Sequence, residues 1–153
     1  TDPIALVIDG VGDPGNAGTL LRSALGAGVR NVLASKGSVD LFAPKVVRSG
    51  MGAHFRLELG VDLSWEEIER SLGEGRAVVV ADARAETSHY RFDWRRPSAL
   101  IVGGEAHGPS AEALRLATTR VSIPLAAGVE SLNAAIAGSV ILFEAKRQRD
   151  REK

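Results

Sequence analysis

Cysteine is absent from this chain, which excludes disulfide staples and thiolate metal sites and suits a reducing, cytoplasmic setting. Net charge is absent as well: 19 basic and 19 acidic residues cancel. A protein so balanced does not coat a polyanion by bulk electrostatics, which leaves room only for a local basic face. Long apolar runs are missing; Ile4 to Ile8 and Ala77 to Ala81 are far too short to span a bilayer, so no membrane association is expected. No charged-then-apolar leader precedes the first run, and no internal repeat or low-complexity segment is visible. His54, His89 and His107 fall in different segments without paired spacing, so no metal is expected. Neither Ser110 nor Ser131 sits in a nucleophile-elbow pattern, which disfavours a hydrolase.

What is there is an ordinary globular composition. The chain has 153 residues, 44% of them apolar and 25% charged, enough for one domain that buries roughly 70% of its unfolded surface. Residues 1–153 are therefore read as a single domain. The sequence starts at Thr1, three residues before an apolar strand-like run, and a cut close to a domain boundary is expected. Basic residues crowd at Arg91, Arg95 and Arg96, and again at Lys146, Arg147, Arg149 and Arg151. Each cluster is either a solvated face or a contact for an acidic partner.

Short apolar runs alternate with helical patterns. Ile4 to Ile8 lacks polar alternation and reads as a strand buried on both faces. Asp9 to Gly18, with four glycines and a proline, is expected to be largely loop, with Asn16 inside it. Leu20, Leu21, Ala24 and Leu25 then share one helical face in Thr19 to Ala27, and Gly28 ends that helix. Asn31 to Ala34 is a second strand. Ser64-Trp-Glu-Glu67 is a capping box, with Leu63 and Ile68 placed to staple it, so a helix to about Leu72 follows. Strands are expected at Ala77 to Ala81, Ala99 to Val102 and Val121 to Ile123, and helices at Ser110 to Ala117 and Asn133 to Arg149. The alternation gives an α/β fold with a parallel sheet flanked by helices.

In such sheets ligands lie beyond the carboxyl ends of the strands. Three glycine-bearing segments follow predicted strands: Asp9 to Gly18, Gly103 to Pro109, and Pro124 to Ser131. Gly103 and Gly104 permit close backbone approach to a ligand, and Glu105 adds a carboxylate; a tight turn with a solvated Glu is the plainer reading. The spacing is neither a dinucleotide fingerprint nor a P-loop. Asn16 could merely stabilise a turn, and Arg22 could be a surface residue, although its helix is otherwise strongly apolar. Ser131 and Asn133 straddle a helix start as capping residues do, and Ala134, Ala135, Ala137 and Gly138 leave that helix thin on one side.

Together the three segments resemble, in order, the signature motifs of the SpoU (TrmH-like) RNA methyltransferases of the SPOUT superfamily. They stand here as Asn16-Ala-Gly18 with Arg22 and Ala24, as Gly103-Gly-Glu105 with Gly108, and as Ile123-Pro-Leu125 with Ser131-Leu-Asn133. The intervening Pro44 to Ala53 is similar to the family's segment between motifs. The resemblance implies a deep C-terminal trefoil knot, an exception to ordinary connectivity. It also implies S-adenosyl-L-methionine as cofactor, with Gly103, Gly104, Ile123, Leu125 and Leu132 as its contacts. The implied catalytic set is Arg22, Asn16, Glu105, Asn133 and Ser131.

The implied reaction is methylation of an RNA ribose 2′-hydroxyl, in rRNA or else tRNA. Arginine stays protonated in proteins, so Arg22 is expected to hold a phosphate beside the target ribose and stabilise developing charge rather than act as a base. A homodimer is implied, with the small-residue face of the last helix serving it, and an N-terminal RNA-binding domain outside this chain. The competing readings are a catalytically silent RNA-binding module on the same fold and a generic nucleotide-binding α/β domain.

Overall fold

The computed structural model describes residues 3–104 and 108–151. Six strands form one sheet: β1 (Ile4–Asp9), β2 (Asn31–Ser35), β3 (Glu58–Leu63), β4 (Ala77–Ala81), β5 (Ser98–Gly103) and β6 (Thr119–Val121). Their order is β3-β2-β1-β5-β4-β6 and every pairing is parallel. The helices are α1 (Pro14–Gly26), α2 (Pro44–Ser49), α3 (Trp65–Leu72), α4 (Ala111–Leu116) and α5 (Ala134–Asp150). Among the described residues, no helix is long and apolar enough to cross a membrane.

The central strands explain the layering. Along β1, Ile4, Leu6 and Ile8 face one helical layer while Ala5 and Val7 face the other. The first layer is α1, α2 and α5, which bring Leu20, Leu21, Val46, Ile141 and Leu142 onto the sheet. The second is α3 and α4, through Ile68, Leu72 and Ala113. Each aliphatic side chain fully buried in these layers contributes about 1.5–3 kcal/mol of transfer free energy. The order reverses at β1: β2 and β3 lie on one side of it and β5, β4 and β6 on the other. In parallel sheets of this kind ligands lie beyond the carboxyl ends of the strands.

The capping box closes as expected: Ser64 Oγ accepts from Glu67 N–H and Glu67 Oε1 accepts from Ser64 N–H, both at 3.1 Å. The glycine-rich segment differs from expectation. Only 10–13 are loop, because Asp13 Oδ1 accepts from the Asn16 N–H at 2.8 Å and Pro14 starts the helix with its φ already set. Asn16 thus stands in the first turn of α1. Gly28, at φ 86°, follows that helix in the left-handed conformation.

The last strand also starts earlier than expected, at Thr119. Ser122 turns away from β4 to exchange backbone bonds with Thr87 and His89, which leaves Ile123 in a loop before Pro124. Two elements are absent from the sequence reading. One is α2, whose first residue is Pro44; the other is β3, a half-exposed edge strand with no apolar run.

Candidate functional site

The carboxyl ends of β4, β5 and β6, the loop after β6 and the start of α5 enclose a cavity of about 410 Å³. Such a volume lies in the range of roughly 300–1,000 Å³ typical of small-molecule sites. Gly103, Gly104, Ile123, Leu125, Ser131, Leu132 and Asn133 all line it. Residues from two of the three glycine-bearing segments therefore meet around one space.

The Gly103–Gly104 turn is built by close approach. A Cβ on Gly103 would stand 2.9 Å from the Gly108 carbonyl oxygen, and one on Gly104 would stand 3.0 Å from that of Gly10. Asp9 ties the turn from below: its carbonyl accepts from the Gly104 N–H at 3.2 Å, and its carboxylate accepts from the Ser110 N–H at 2.9 Å. Burial pushes the Asp9 carboxyl above its ordinary value, against the lowering effect of the Ser110 bonds. Glu105 and His107 lie outside the described residues.

Asn133 joins the first and third segments. Its Oδ1 caps α5 by accepting from the N–H groups of Ala135 and Ile136, at 2.9 and 3.1 Å. Its Nδ2 donates to Asn16 Oδ1 at 3.1 Å, across 117 residues of chain. Asn16 therefore reaches the cavity through Asn133 rather than by lining it. Arg22 is not brought to the cavity wall. It lies six residues beyond Asn16 on α1, about 120° around the axis and roughly 9 Å along it, and it is exposed.

Arg22 continues instead the face of α1 that carries Gly18. A Cβ at Gly18 would collide with Ser49 Oγ and stand 2.8 Å from the Val46 carbonyl oxygen, so Gly18 is what lets α2 lie against α1. The small-residue face of α5 has a similar use. Ala134, Ala135 and Gly138 pack inside the chain, and a Cβ at Gly138 would stand 2.6 Å from Leu20 Cδ2. That corrects the expectation that this face serves a partner subunit. The outward stripe is Ile136, Val140 and Phe143, which remain 50%, 40% and 46% exposed.

The sequence reading passed over Asp82, a carboxylate one residue beyond β4 that lines the cavity and is 7% exposed. Its Oδ1 accepts from the Arg84 N–H at 3.0 Å and its Oδ2 lies 3.5 Å from Arg120 Nη1. The available signal was an acidic residue directly after a buried strand.

Comparison with known proteins gives the same picture. A match to the SpoU rRNA Methylase family covers residues 3–143. Human mitochondrial rRNA methyltransferase 3 is 39% identical over 95% of this chain and 47% of its own length. The 23S rRNA (uridine(2479)-2'-O)-methyltransferase of Streptomyces viridochromogenes is 34% identical over 97% of this chain and 54% of its own length. The solved structure of the SpoU methyltransferase AviRb from Streptomyces viridochromogenes, in complex with the cofactor AdoMet, superposes with a TM-score of 0.87 at 34% identity, covering 96% of this chain and 60% of that one. This chain spans about half the length of the curated relatives it matches. The matched motifs, the parallel sheet and the family match together make this chain a member of the SpoU rRNA methylase family.

Proposed function

We propose that this domain transfers a methyl group from S-adenosyl-L-methionine to a ribose 2′-hydroxyl of RNA, with ribosomal RNA as the substrate. The observation that carries the reading is the cavity beyond β4, β5 and β6, walled by the two motif segments that approach each other there. Its lining fits the cofactor's chemistry. Val102, Ile123, Leu125 and Leu132 offer an apolar wall for an adenine ring, while the glycine turn exposes backbone at the strand ends. When bound, the cofactor supplies a methyl group already activated by its sulfonium, so the protein's part is alignment and proton management.

Asn133, fixed by its cap and by Asn16, would orient the ribose at the cavity mouth. Arg22, on the outer face of α1, would hold the neighbouring phosphate as a permanent cation. A second copy packed on the exposed stripe Ile136, Val140 and Phe143 belongs to this proposal. The trefoil knot belongs to it too. Supporting it, β6 lies at the sheet edge beside β4 while α5 returns across the sheet to α1 and β5.

The test is calorimetric titration with S-adenosylmethionine and S-adenosylhomocysteine, with NAD and ATP as controls and light scattering on the same samples. Selective binding of the methionine-derived ligands by a dimer is expected. Label transferred from the cofactor to ribosomal RNA should then survive alkaline hydrolysis in an uncleaved dinucleotide, because a methylated 2′-oxygen cannot attack the adjacent phosphate. A folded protein that binds neither ligand overturns the reading and leaves an RNA-binding module without catalysis in its place.

A further inference from the structure

Between β2 and β3 the chain exposes apolar side chains that the fold does not use. Phe55 is 91% exposed, Met51 68% and Phe42 55%, whereas a folded chain normally turns such side chains inward. They lie on a braced surface. The Phe42 ring stands 5.8 Å from the His54 ring, and His54 Nε2 donates to the Leu41 carbonyl at 2.7 Å. Met51 holds a left-handed backbone, at φ 51°, a conformation that a non-glycine residue rarely adopts, and its side chain is exposed.

Beyond Asp40, whose carboxylate accepts from the Phe42 N–H at 2.9 Å, the charge of this segment has one sign. From Leu41 to Leu57 there is no acidic residue, while Lys45, Arg48 and Arg56 are all exposed cations. The protein as a whole is neutral, so this is a local concentration of positive charge around exposed rings. Its position is fixed as well. Ser49 Oγ donates to the Val46 carbonyl at 3.2 Å and fills the space that Gly18 leaves open, one turn before Arg22. The surface therefore adjoins the face of α1 that carries Arg22.

We propose that Phe42, Met51 and Phe55, with Lys45, Arg48 and Arg56, form a platform for unpaired RNA beside the target ribose. A base would stack on Phe55, and the cations would meet the phosphates on either side of it. The inference rests on the proposed RNA substrate and extends it to a site outside the cofactor cavity. Stacking on an exposed ring tolerates any base and is worth about 1–3 kcal/mol per base. Selectivity would then be for strandedness, favouring loops and bulges over duplex. The single sign of charge favours a polyanion over a second copy of this chain, whose matching surface would repel.

The test uses the whole protein, a fluorescein-labelled oligouridine too short to fold, and anisotropy over a range of salt. Phe55→Ala is expected to weaken binding by roughly fivefold to a hundredfold, with Phe55→Trp restoring it. Lys45→Ala with Arg48→Ala should flatten the salt dependence, by about 0.7 in the logarithmic slope for each phosphate no longer neutralised. Titration with S-adenosylmethionine should be identical in all three variants, since none of these side chains lines the cavity. A wild type that fails to take the cofactor while these RNA effects appear defeats the methyltransferase reading and leaves the platform standing. Equal RNA affinity in wild type and variants, or no RNA binding by either, overturns the platform. So does a change in oligomeric mass on Phe55→Ala with unchanged RNA affinity, which would give this face to a second copy.

Discussion

At the residue scale, Asn133 performs two tasks with one amide: its oxygen caps α5 and its nitrogen donates to Asn16. Substitution separates them. Asn133→Ala removes the cap and should cost about 1 kcal/mol in urea denaturation. Asn133→Asp keeps a good capping acceptor, aided by the positive end of the helix dipole, so its stability should stay within about 0.5 kcal/mol of wild type. Both variants lose the donor to Asn16, and the proposed methyl transfer should fall roughly tenfold in each. Unimpaired transfer by the Asp variant would reduce Asn133 to a cap. The sequence made the cap visible, because Ser131 and Asn133 flank a helix start. It could not show that Asn16 is the amide's partner, since only folding brings positions so distant in the chain within 3.1 Å. Nor could it show that Arg22 stands away from the cavity. That follows from α1 beginning at Pro14, which turns a six-residue interval into a rotation of about 120°.

At the scale of elements, two glycines set helix contacts with unequal tolerance. Gly18→Ala would place a methyl 2.8 Å from the Val46 carbonyl oxygen, which is backbone and cannot swing away. The clash should outweigh the better helix propensity of alanine and cost about 1–3 kcal/mol. Gly138→Ala meets chiefly the tip of Leu20, which can rotate, and the gain in propensity should bring its net effect within about 1 kcal/mol of zero. Thermal or urea unfolding of the two variants checks the contrast; equal losses would mean that α2 yields as easily as Leu20 does. Strands β1, β4 and β5 were legible because each carries a continuous apolar run buried on both faces: Ile4 to Ile8, Ala77 to Ala81 and Ala99 to Val102. The edge strand β3 carried a signal of the other kind: Leu59, Val61 and Leu63 alternate with Glu58, Gly60 and Asp62, the period-2 pattern of a half-buried strand, and a reading keyed to continuous apolar runs passes over it. The short helix α2 announces itself only by Pro44, which is equally at home in a turn.

For the whole molecule, two carboxyls push the acid response in opposite directions. The bidentate Arg147 guanidinium beside Glu144, with Gln148 assisting, lowers its carboxyl to about 2 from an ordinary 4.5. A carboxyl held low in the fold contributes its full stability above roughly pH 5 and loses it as the pH falls toward 2. Glu144→Gln should therefore lower stability at pH 7 by about 1–2 kcal/mol after solvent screening, and the difference should shrink below roughly pH 5 and vanish once the pH is under about 2. Asp9 works in the other direction: burial raises its carboxyl, so protonation relieves a cost and acid favours the fold there. Urea denaturation at a series of pH values should show the Glu144 variant with the flatter acid limb. A constant offset at every pH would assign Glu144 a packing role instead.

The bond between Asn16 and Asn133 also has a temporal meaning. Strand β1 is made early, yet its neighbour β5 comes some ninety residues later and α5 later still. Among the described residues no hairpin offers a local start, and all-parallel pairing of this kind is slow because each contact must first close a long loop. On the ribosome the first half of the chain would emerge with one flank of β1 unpaired and Asn16 without its distant partner. The cavity stays open on one side until α5 docks and brings Ala134, Ala137 and Ile141 to it, so a ligand can be enclosed there only once synthesis has passed Ile141.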